Sequence, residues 1–279
     1  MLPAAPPGMT IRRTLVETPS GFVHVRSAGS GSPILFLHWT PASSRQYVPV
    51  LKKLGNSGYA GYAPDNMGYG QSDPRPAPWL VKDYADNIAA VMDGLGLESA
   101  AVVGGHVSSE FAVELSLRHP ERVTHLVLDG CPVWDRAFRD EVLSVSRQPA
   151  PGWSEDGAHI AWVWERSLWL QRMWDSGFEL DDDGAALLRN AVIDSMLAQQ
   201  MDDATQALRE YEMGDALARV RVPTLALTAE TDPLNNCHEK VLELVDGSVG
   251  NTFAGGHPHH YPEKAGEYVD VILEFLRSG

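Results

Sequence analysis

The chain has 279 residues, of which 44% are hydrophobic and 21% are charged, a composition typical of a globular protein. This composition excludes collagen-like and intrinsically disordered chains. Lysine and arginine number 22 against 37 acidic residues, and the formal net charge of -15 repels nucleic-acid phosphates and anionic lipid surfaces. We therefore expect neither a nucleic-acid partner nor a membrane partner.

The two cysteines, Cys131 and Cys237, stand far apart and without the spacing of metal ligands. They predict neither a disulfide framework nor a zinc site. Residues 1–8 are rich in Pro and Ala and lack the basic start and the apolar run of an export signal, so we expect a cytoplasmic protein. The oligomeric state stays open, a homodimer included.

The first half of the chain alternates between strand and helix patterns. Alternating apolar and polar residues predict an antiparallel hairpin over 11–17 and 22–27, and a continuous apolar run predicts a covered central strand over 33–37. The later segments are predicted as helices over 43–54, 78–95 and 108–118 and as strands over 59–64, 100–103 and 124–128. Such alternation predicts an α/β fold with a doubly wound, mostly parallel sheet.

The alternation stops between residues 133 and 217, where the sequence is helical and rich in Trp and acidic residues. It resumes with strands at 223–227 and 248–253 and helices at 238–244 and 264–276. The sequence therefore predicts a core in two parts, 10–132 and 218–279, with an inserted helical cap over 133–217.

Four segments, in this order, carry a resemblance to a known family. They are a strand that ends in His38-Trp39-Thr40-Pro41, a Pro-Asp-x-x-Gly-x-Gly-x-Ser loop at 64–72, a strand-turn-helix at 102–123, and the loops that contain Asp232 and His257. Together they resemble the α/β-hydrolase superfamily over nearly the whole chain. The resemblance implies the fold of that family, an enzymatic function of hydrolase type and no cofactor.

The strand-turn-helix segment departs from the family at its central position. Counting back from His119-Pro120 without a gap, the family's Gly-x-Ser-x-Gly falls on 104–108, and His106 takes the position of the nucleophile. A shift by one residue would place Val107 there and break the match of the helix. The alternative to a catalytic role is that the turn has lost its function or that the histidine was introduced by engineering.

The resemblance makes Asp232 and His257 a catalytic dyad, in which the aspartate fixes the tautomer of the histidine. Asp129, at the end of another strand, is a second and less favoured partner for His257. His259 and His260 follow on the same loop, but no carboxylate or cysteine lies at ligand spacing beside them along the sequence, so we predict no metal site.

Three further positions follow from the same alignment. Thr40 and Val107 stand where the family donates two backbone N–H groups to an oxyanion. Trp39 replaces the glycine usual after the histidine and places an indole near the substrate pocket. In the predicted cap, Trp134 and Trp162 are candidate substrate-binding residues, although helical spacing of Trp more often reflects packing. They favour a small apolar or aromatic substrate.

These residues support three hypotheses. The first is hydrolysis of an ester, lactone or related acyl bond. Either His257 acts as the base that activates water, or His106 acts as a nucleophile and forms a short-lived acyl-imidazole. The second is a non-hydrolytic enzyme of the same fold, such as a lyase, an isomerase or a cofactor-free oxygenase, that uses the histidines for proton transfer. The third is a ligand-binding protein without catalysis. The sequence favours the first.

Overall fold

An eight-stranded sheet forms the centre of the protein in the computed structural model, which describes residues 10–55, 57–146, 151–152 and 154–278. Residues 1–9, on which the predicted location rested, lie outside the described residues. The strands are β1 (Arg12–Thr18), β2 (Gly21–Gly29), β3 (Ser32–Leu37), β4 (Tyr59–Pro64), β5 (Ala100–Gly105), β6 (Val123–Asp129), β7 (Thr224–Ala229) and β8 (Val249–Phe253).

The strands lie in the order β1-β2-β4-β3-β5-β6-β7-β8. Strands β1 and β2 form the predicted antiparallel hairpin at one edge, β2 also pairs antiparallel with β4, and all the other neighbours are parallel. The prediction of a mostly parallel, doubly wound sheet is confirmed. The strand order reverses its direction at β3 and β5, and the carboxyl ends of these strands are where such folds bind ligands.

Helices cover both faces of the sheet. They are α1 (Val48–Leu54), α2 (Val81–Gly94), α3 (Val107–Arg118), α4 (Arg136–Ser146), α5 (Ala158–Trp174), α6 (Asp182–Leu197), α7 (Asp203–Gln206), α8 (Met213–Leu217), α9 (His238–Leu244) and α10 (Ala265–Ser278). Helices α1 and α10 pack into one apolar cluster, and α2, α3, α8 and α9 contribute to the other. The central strands are thus buried on both sides, which explains their continuous apolar sequences.

Two helices begin later than the sequence predicts. Helix α1 is preceded by a short 3-10 turn over Ser44–Tyr47, which Ser43 caps by accepting a hydrogen bond from the N–H of Arg45. Helix α2 begins at Val81 because Asp83 accepts a hydrogen bond from the N–H of Leu80 at 2.8 Å and so ends the preceding extended segment.

The described part of residues 133–217 contains helices α4 to α8 and no strand, as the sequence predicts. We refer to these residues as the inserted segment, and their role as a cap with those boundaries stays a prediction. Within the described residues, none of the helices is both long and apolar enough to span a membrane.

Candidate active site

His106 occupies the turn between β5 and α3. Its φ of 46° makes it the one non-glycine residue with a positive φ in the described part of the chain. Such a backbone costs on the order of 1–3 kcal/mol for a residue with a side chain, and it persists where the surrounding structure enforces it. Val107 is the first residue of α3. The structure therefore places His106, and not Val107, at the turn.

The His106 side chain is held by a carboxylate. Its Nε2 lies 2.8 Å from Oδ2 of Asp232, in the loop after β7, and only 6% of the residue is exposed. Gly130 leaves the space that this contact needs, because a Cβ at that position would lie 2.5 Å from His106 Cδ2 and 2.8 Å from Asp232 Oδ2. The position of His106 therefore depends on Gly130, in the loop after β6, as well as on its own turn.

Asp232 receives hydrogen bonds on both carboxylate oxygens. Oδ1 accepts from the N–H of Leu234 at 2.6 Å, and Oδ2 contacts Nε2 of both His106 and His257. Burial favours a higher pKa for Asp232, but the two histidines outweigh burial and hold the pKa below its ordinary value. The carboxylate is therefore ionised at neutral pH, and both rings donate an N–H to it.

His257 lies between two carboxylates. Its Nε2 contacts Asp232, and its Nδ1 lies 3.1 Å from Oδ1 of Asp129, at an angle outside hydrogen-bond geometry. Burial would lower the pKa of His257, but Asp129 and Asp232 outweigh it and raise the pKa to about 10. His257 is thus an imidazolium at neutral pH, whereas the sequence assigned it the role of a base.

Asp129, which the sequence analysis placed below Asp232 as a partner of His257, lies in the same buried cluster. It ends β6, is fully buried, and accepts a hydrogen bond from the hydroxyl of Tyr268 at 2.9 Å. His257 contacts Asp129 as well as Asp232. The signal that identified Asp232, a carboxylate at the carboxyl end of a strand, was equally present at Asp129.

His259 belongs to the same buried cluster, through a residue that the sequence did not single out. Gln46 accepts the N–H of Trp39 on Oε1 at 3.0 Å, so its amide NH₂ faces Nε2 of His259 at 2.9 Å. The proton of His259 is then on Nδ1, which lies 3.5 Å from Asp129 Oδ2. Burial lowers the pKa of His259 and keeps the ring neutral.

Two triplets of side chains in this cluster have the composition of a metal site. His106, Asp232 and His257 form one, and Asp129, His257 and His259 form the other, with the ligand-type atoms of each within 4.8 Å of one another. The sequence offers no carboxylate at ligand spacing beside His259, but the fold brings Asp129 to it from the end of β6. In both triplets, ring nitrogens of the histidines face carboxylate oxygens at contact distance. The absence of a metal stays a prediction.

Trp39 forms one wall of the site. Its indole stacks on the ring of His106, with 3.5 Å between the ring centroids and 14° between the planes, and it is fully buried. Gly105 permits this approach, because a Cβ there would lie 2.0 Å from the indole nitrogen. The edge of Trp174 completes the packing, with its centroid 5.7 Å from that of Trp39. One face of the His106 imidazole is therefore covered by the indole of Trp39.

His106 opens onto a cavity of about 360 Å³, which we call the elbow cavity. Thr40 and Val107, the two predicted oxyanion donors, line it together with Trp134. The first N–H groups of a helix have no partner within that helix, and Val107 begins α3. The inserted segment supplies most of the remaining wall, which includes Phe138, Val142, Trp169, Leu170, Met173, Trp174 and Met201.

Two predicted substrate contacts lie elsewhere. Trp39 is behind the ring of His106 and lines a neighbouring cavity, and Trp162 is half-buried on α5 and outside the lining of the elbow cavity. Trp169 and Trp174, on the same helix, line it instead. The roles of Trp39, Trp134 and Trp162 in binding stay predictions.

Solved structures share the fold at low identity. An enol-lactonase from Burkholderia xenovorans superposes with a TM-score of 0.78 at 13% identity, covering 95% of this chain and 100% of that one. An esterase from Exiguobacterium antarcticum gives a TM-score of 0.75 at 20% identity, with the same coverage. At such identities the likeness establishes the fold and says nothing about the substrate.

Sequence relatives extend the comparison. The chain is 35% identical over 273 residues to AB hydrolase superfamily protein YisY from Bacillus subtilis, covering 91% of this chain and 95% of that protein. It spans only 38% of the length of epoxide hydrolase 2 from Siraitia grosvenorii, at 32% identity over 119 residues. The sequence profile of the α/β hydrolase fold matches residues 32–241. The chain therefore belongs to the α/β-hydrolase fold family.

Proposed function

We propose that this protein is a hydrolase that cleaves an ester, a lactone or a related acyl bond of a small apolar or aromatic substrate, with His106 as the general base. Asp232 orients His106, and the backbone N–H groups of Thr40 and Val107 stabilise the oxyanion. This assignment moves the role of base from His257 to His106. No cofactor is needed.

One observation carries the proposal, namely the hydrogen bond between His106 Nε2 and Asp232 Oδ2 at 2.8 Å. Since the ionised carboxylate takes the proton on Nε2, a neutral His106 ring has its lone pair on Nδ1. Both ring nitrogens of His257 face carboxylates, and His257 is not part of the elbow cavity. Of these two histidines, His106 is the one that borders the cavity and has a ring nitrogen without a partner among the described residues.

The chemistry follows from this assignment. A water molecule attacks the carbonyl carbon while its proton passes to Nδ1 of His106, and the carbonyl oxygen takes up the negative charge. Asp232 stabilises the imidazolium that forms. The intermediate then collapses, the bond to the leaving oxygen breaks, and His106 returns the proton to that oxygen. The products are a carboxylic acid and an alcohol or phenol, so atoms and charge balance.

His257 has a positioning role in this scheme. As an imidazolium between Asp129 and Asp232 it neutralises one of two buried carboxylates and donates to the same oxygen, Asp232 Oδ2, that holds His106. The rings of His106 and His257 lie 6.0 Å apart between centroids and meet only through that oxygen. His257 thus fixes the partner of the base.

The lining of the elbow cavity supports the substrate class. Indole, phenyl and thioether side chains make up much of its wall, and a few polar groups such as Arg166 and Asn236 interrupt it. Its volume of about 360 Å³ is within the range of small-molecule sites. A cytoplasmic location remains a part of the proposal that rests on the sequence, and the oligomeric state stays open, a homodimer included.

A second candidate has support from the same nitrogen. A base beside an oxyanion hole also removes a proton from a carbon or a hydroxyl of a substrate, as a lyase, an isomerase or a cofactor-free oxygenase requires. The apolar wall favours such a reaction as much as hydrolysis. A third mechanism, in which His106 itself attacks and forms an acyl-imidazole, requires the ring to turn away from Asp232 or to use Nδ1.

The test is a panel of aryl esters and lactones with wild type, His106→Ala and a control variant, His125→Ala. His125 lies on β6, outside the lining of the elbow cavity. Loss of a general base lowers kcat by about 10²–10⁴-fold, and we expect this for His106→Ala and wild-type turnover for His125→Ala. Turnover in ¹⁸O-labelled water then places one label in the acid product of wild type.

The outcomes separate the proposed general-base hydrolase from its three alternatives. Substrate loss without ¹⁸O in the product favours the non-hydrolytic enzyme. A mass adduct on the peptide that contains His106, trapped at low temperature, favours the acyl-imidazole. Turnover by His106→Ala equal to that of wild type refutes the proposal, and tight binding of panel members without any turnover favours a ligand-binding protein.

A further inference from the structure

A second cavity, of about 450 Å³, adjoins the elbow cavity and has a different character. We call it the arginine cavity. Pro41, Leu170 and Trp174 border both cavities, so these side chains form the wall between them. Helices α1 and α6, the hairpin of β1 and β2, and the loop after β8 enclose the rest.

The arginine cavity concentrates positive charge in an acidic protein. The chain carries 22 basic and 37 acidic residues. The lining nevertheless includes five basic side chains against two acidic ones, Asp183 and Asp194; the basic residues are Arg13, Arg26, Arg45, Lys52 and Arg189. A concave site with such an excess focuses a positive potential on its contents.

Two of these arginines face each other across a strand pair. Arg13 on β1 is the register partner of Arg26 on β2. Like charges directly opposite in a sheet are destabilising, because their side chains lie about 5 Å apart. Arg26 is buried and contacts Ser44 and Asp65, the latter at 3.7 Å, which neutralises one charge of the pair. No ion pair or hydrogen bond of the Arg13 side chain occurs in the described residues.

The other basic residues likewise divide into one that is paired with a carboxylate and two that are not. Arg45 is paired with the buried Asp194 at 3.2 Å between Nε and Oδ1. Lys52 and Arg189 are exposed and, like Arg13, make no side-chain ion pair among the described residues. Among the described residues, the cavity therefore presents three unpaired positive charges against the one unpaired carboxylate of Asp183, next to an apolar wall formed by Trp174 and several aliphatic residues.

We propose that the arginine cavity binds a small organic anion, a carboxylate with an apolar or aromatic body, at a site separate from the elbow cavity. The anionic group compensates Arg13 and Arg189, and the body packs on the indole of Trp174 and the neighbouring aliphatic side chains. Trp39, which borders this cavity and stacks on His106, lies between the ligand and the proposed base. The binding itself does not depend on the proposed hydrolase activity.

The probe is 1-naphthoate, compared with its neutral counterpart 1-naphthamide, in titration calorimetry with the full-length protein. We expect 1-naphthoate to bind at least tenfold more tightly than 1-naphthamide at low salt. The double variant Arg13→Gln/Arg189→Gln loses about tenfold in affinity for the carboxylate, because charge-assisted contacts are the stronger ones. Its affinity for the amide stays unchanged.

Two control variants locate the binding. Arg12→Gln removes the neighbouring charge on the opposite face of β1, where successive side chains point away from each other, and binding stays as in wild type. Arg166→Gln removes the basic residue of the elbow cavity. If Arg166→Gln weakens 1-naphthoate binding and the double variant does not, the ligand is in the elbow cavity and the proposal is wrong.

A second measurement needs no ligand. Arg13→Gln removes one of two facing like charges, so the thermal midpoint of the unliganded protein is expected to stay equal or to rise, while Arg12→Gln gives no gain. A lower midpoint for Arg13→Gln alone contradicts the argument from charge. Equal affinity for 1-naphthoate and 1-naphthamide, or no binding of 1-naphthoate at millimolar concentration, also overturns the proposal.

Discussion

Gly130→Ala tests whether the geometry of His106 and Asp232 carries activity. Gly130 has a φ of +62°, and an added Cβ would lie 2.5 Å from His106 Cδ2, 2.7 Å from His106 Nε2 and 2.8 Å from Asp232 Oδ2. An ordinary contact begins at 3.4 Å, so the imidazole has to retreat by about 0.9 Å. Misplacement of about 1 Å costs on the order of 10²-fold in rate.

Gly96→Ala is the matched control for Gly130→Ala. Gly96 has nearly the same backbone, with a φ of +69°, but nothing lies within 4 Å of its added Cβ. It therefore isolates the strain of a positive φ, which costs about 1–2 kcal/mol for an L-residue. We expect this loss in both variants, seen as a lower thermal midpoint of a few degrees.

The assay compares kcat/KM for the best aryl ester of the panel with the unfolding midpoint of each variant. Gly130→Ala is expected to lose about 10²-fold in kcat/KM beyond any loss in Gly96→Ala, at a temperature where both are folded. Equal activity of the two variants would refute the conclusion that the contact between His106 and Asp232 supports catalysis.

Three other predictions concern the partners of the base. Asp232→Asn no longer fixes the tautomer of His106, so kcat is expected to fall by about 10²–10⁴-fold with a smaller change in KM; a change in KM alone would contradict the role of Asp232. The pKa of His257 is raised from 6.5 to about 10 in the folded protein, so its stabilisation is complete below pH 6.5 and is lost as the pH rises towards 10. Urea unfolding from pH 7 to 10 should therefore show a steeper loss of unfolding free energy in wild type than in His257→Gln, and parallel curves would refute this. Trp39→Ala removes the stack on His106 and should cost about 3–5 kcal/mol of stability together with activity, whereas Trp39→Phe keeps a ring and most of both; equal midpoints and rates for the two variants would show that the stack is unimportant.

Elements of the core followed from local sequence signals. The hairpin, the continuous apolar strands and the start of α3 at the turn all lie within a residue or two of their predicted bounds, because the period of apolar residues reports burial directly. The order of the motifs also indicated which loops meet at the carboxyl edge of the sheet. His106, Asp232 and His257 therefore come together as the sequence implied.

The sequence by itself determined the fold and the three loops of the site, because strand period, helix period and motif order are properties of neighbouring residues. Only the tertiary structure decided which oxygen faces each ring nitrogen. Asp129 became a partner of His257, and Asp232 became a partner of His106, because both contacts join side chains more than 100 residues apart in the sequence. The position of Trp39, between the ring of His106 and the arginine cavity, likewise depends on residues distant in the sequence.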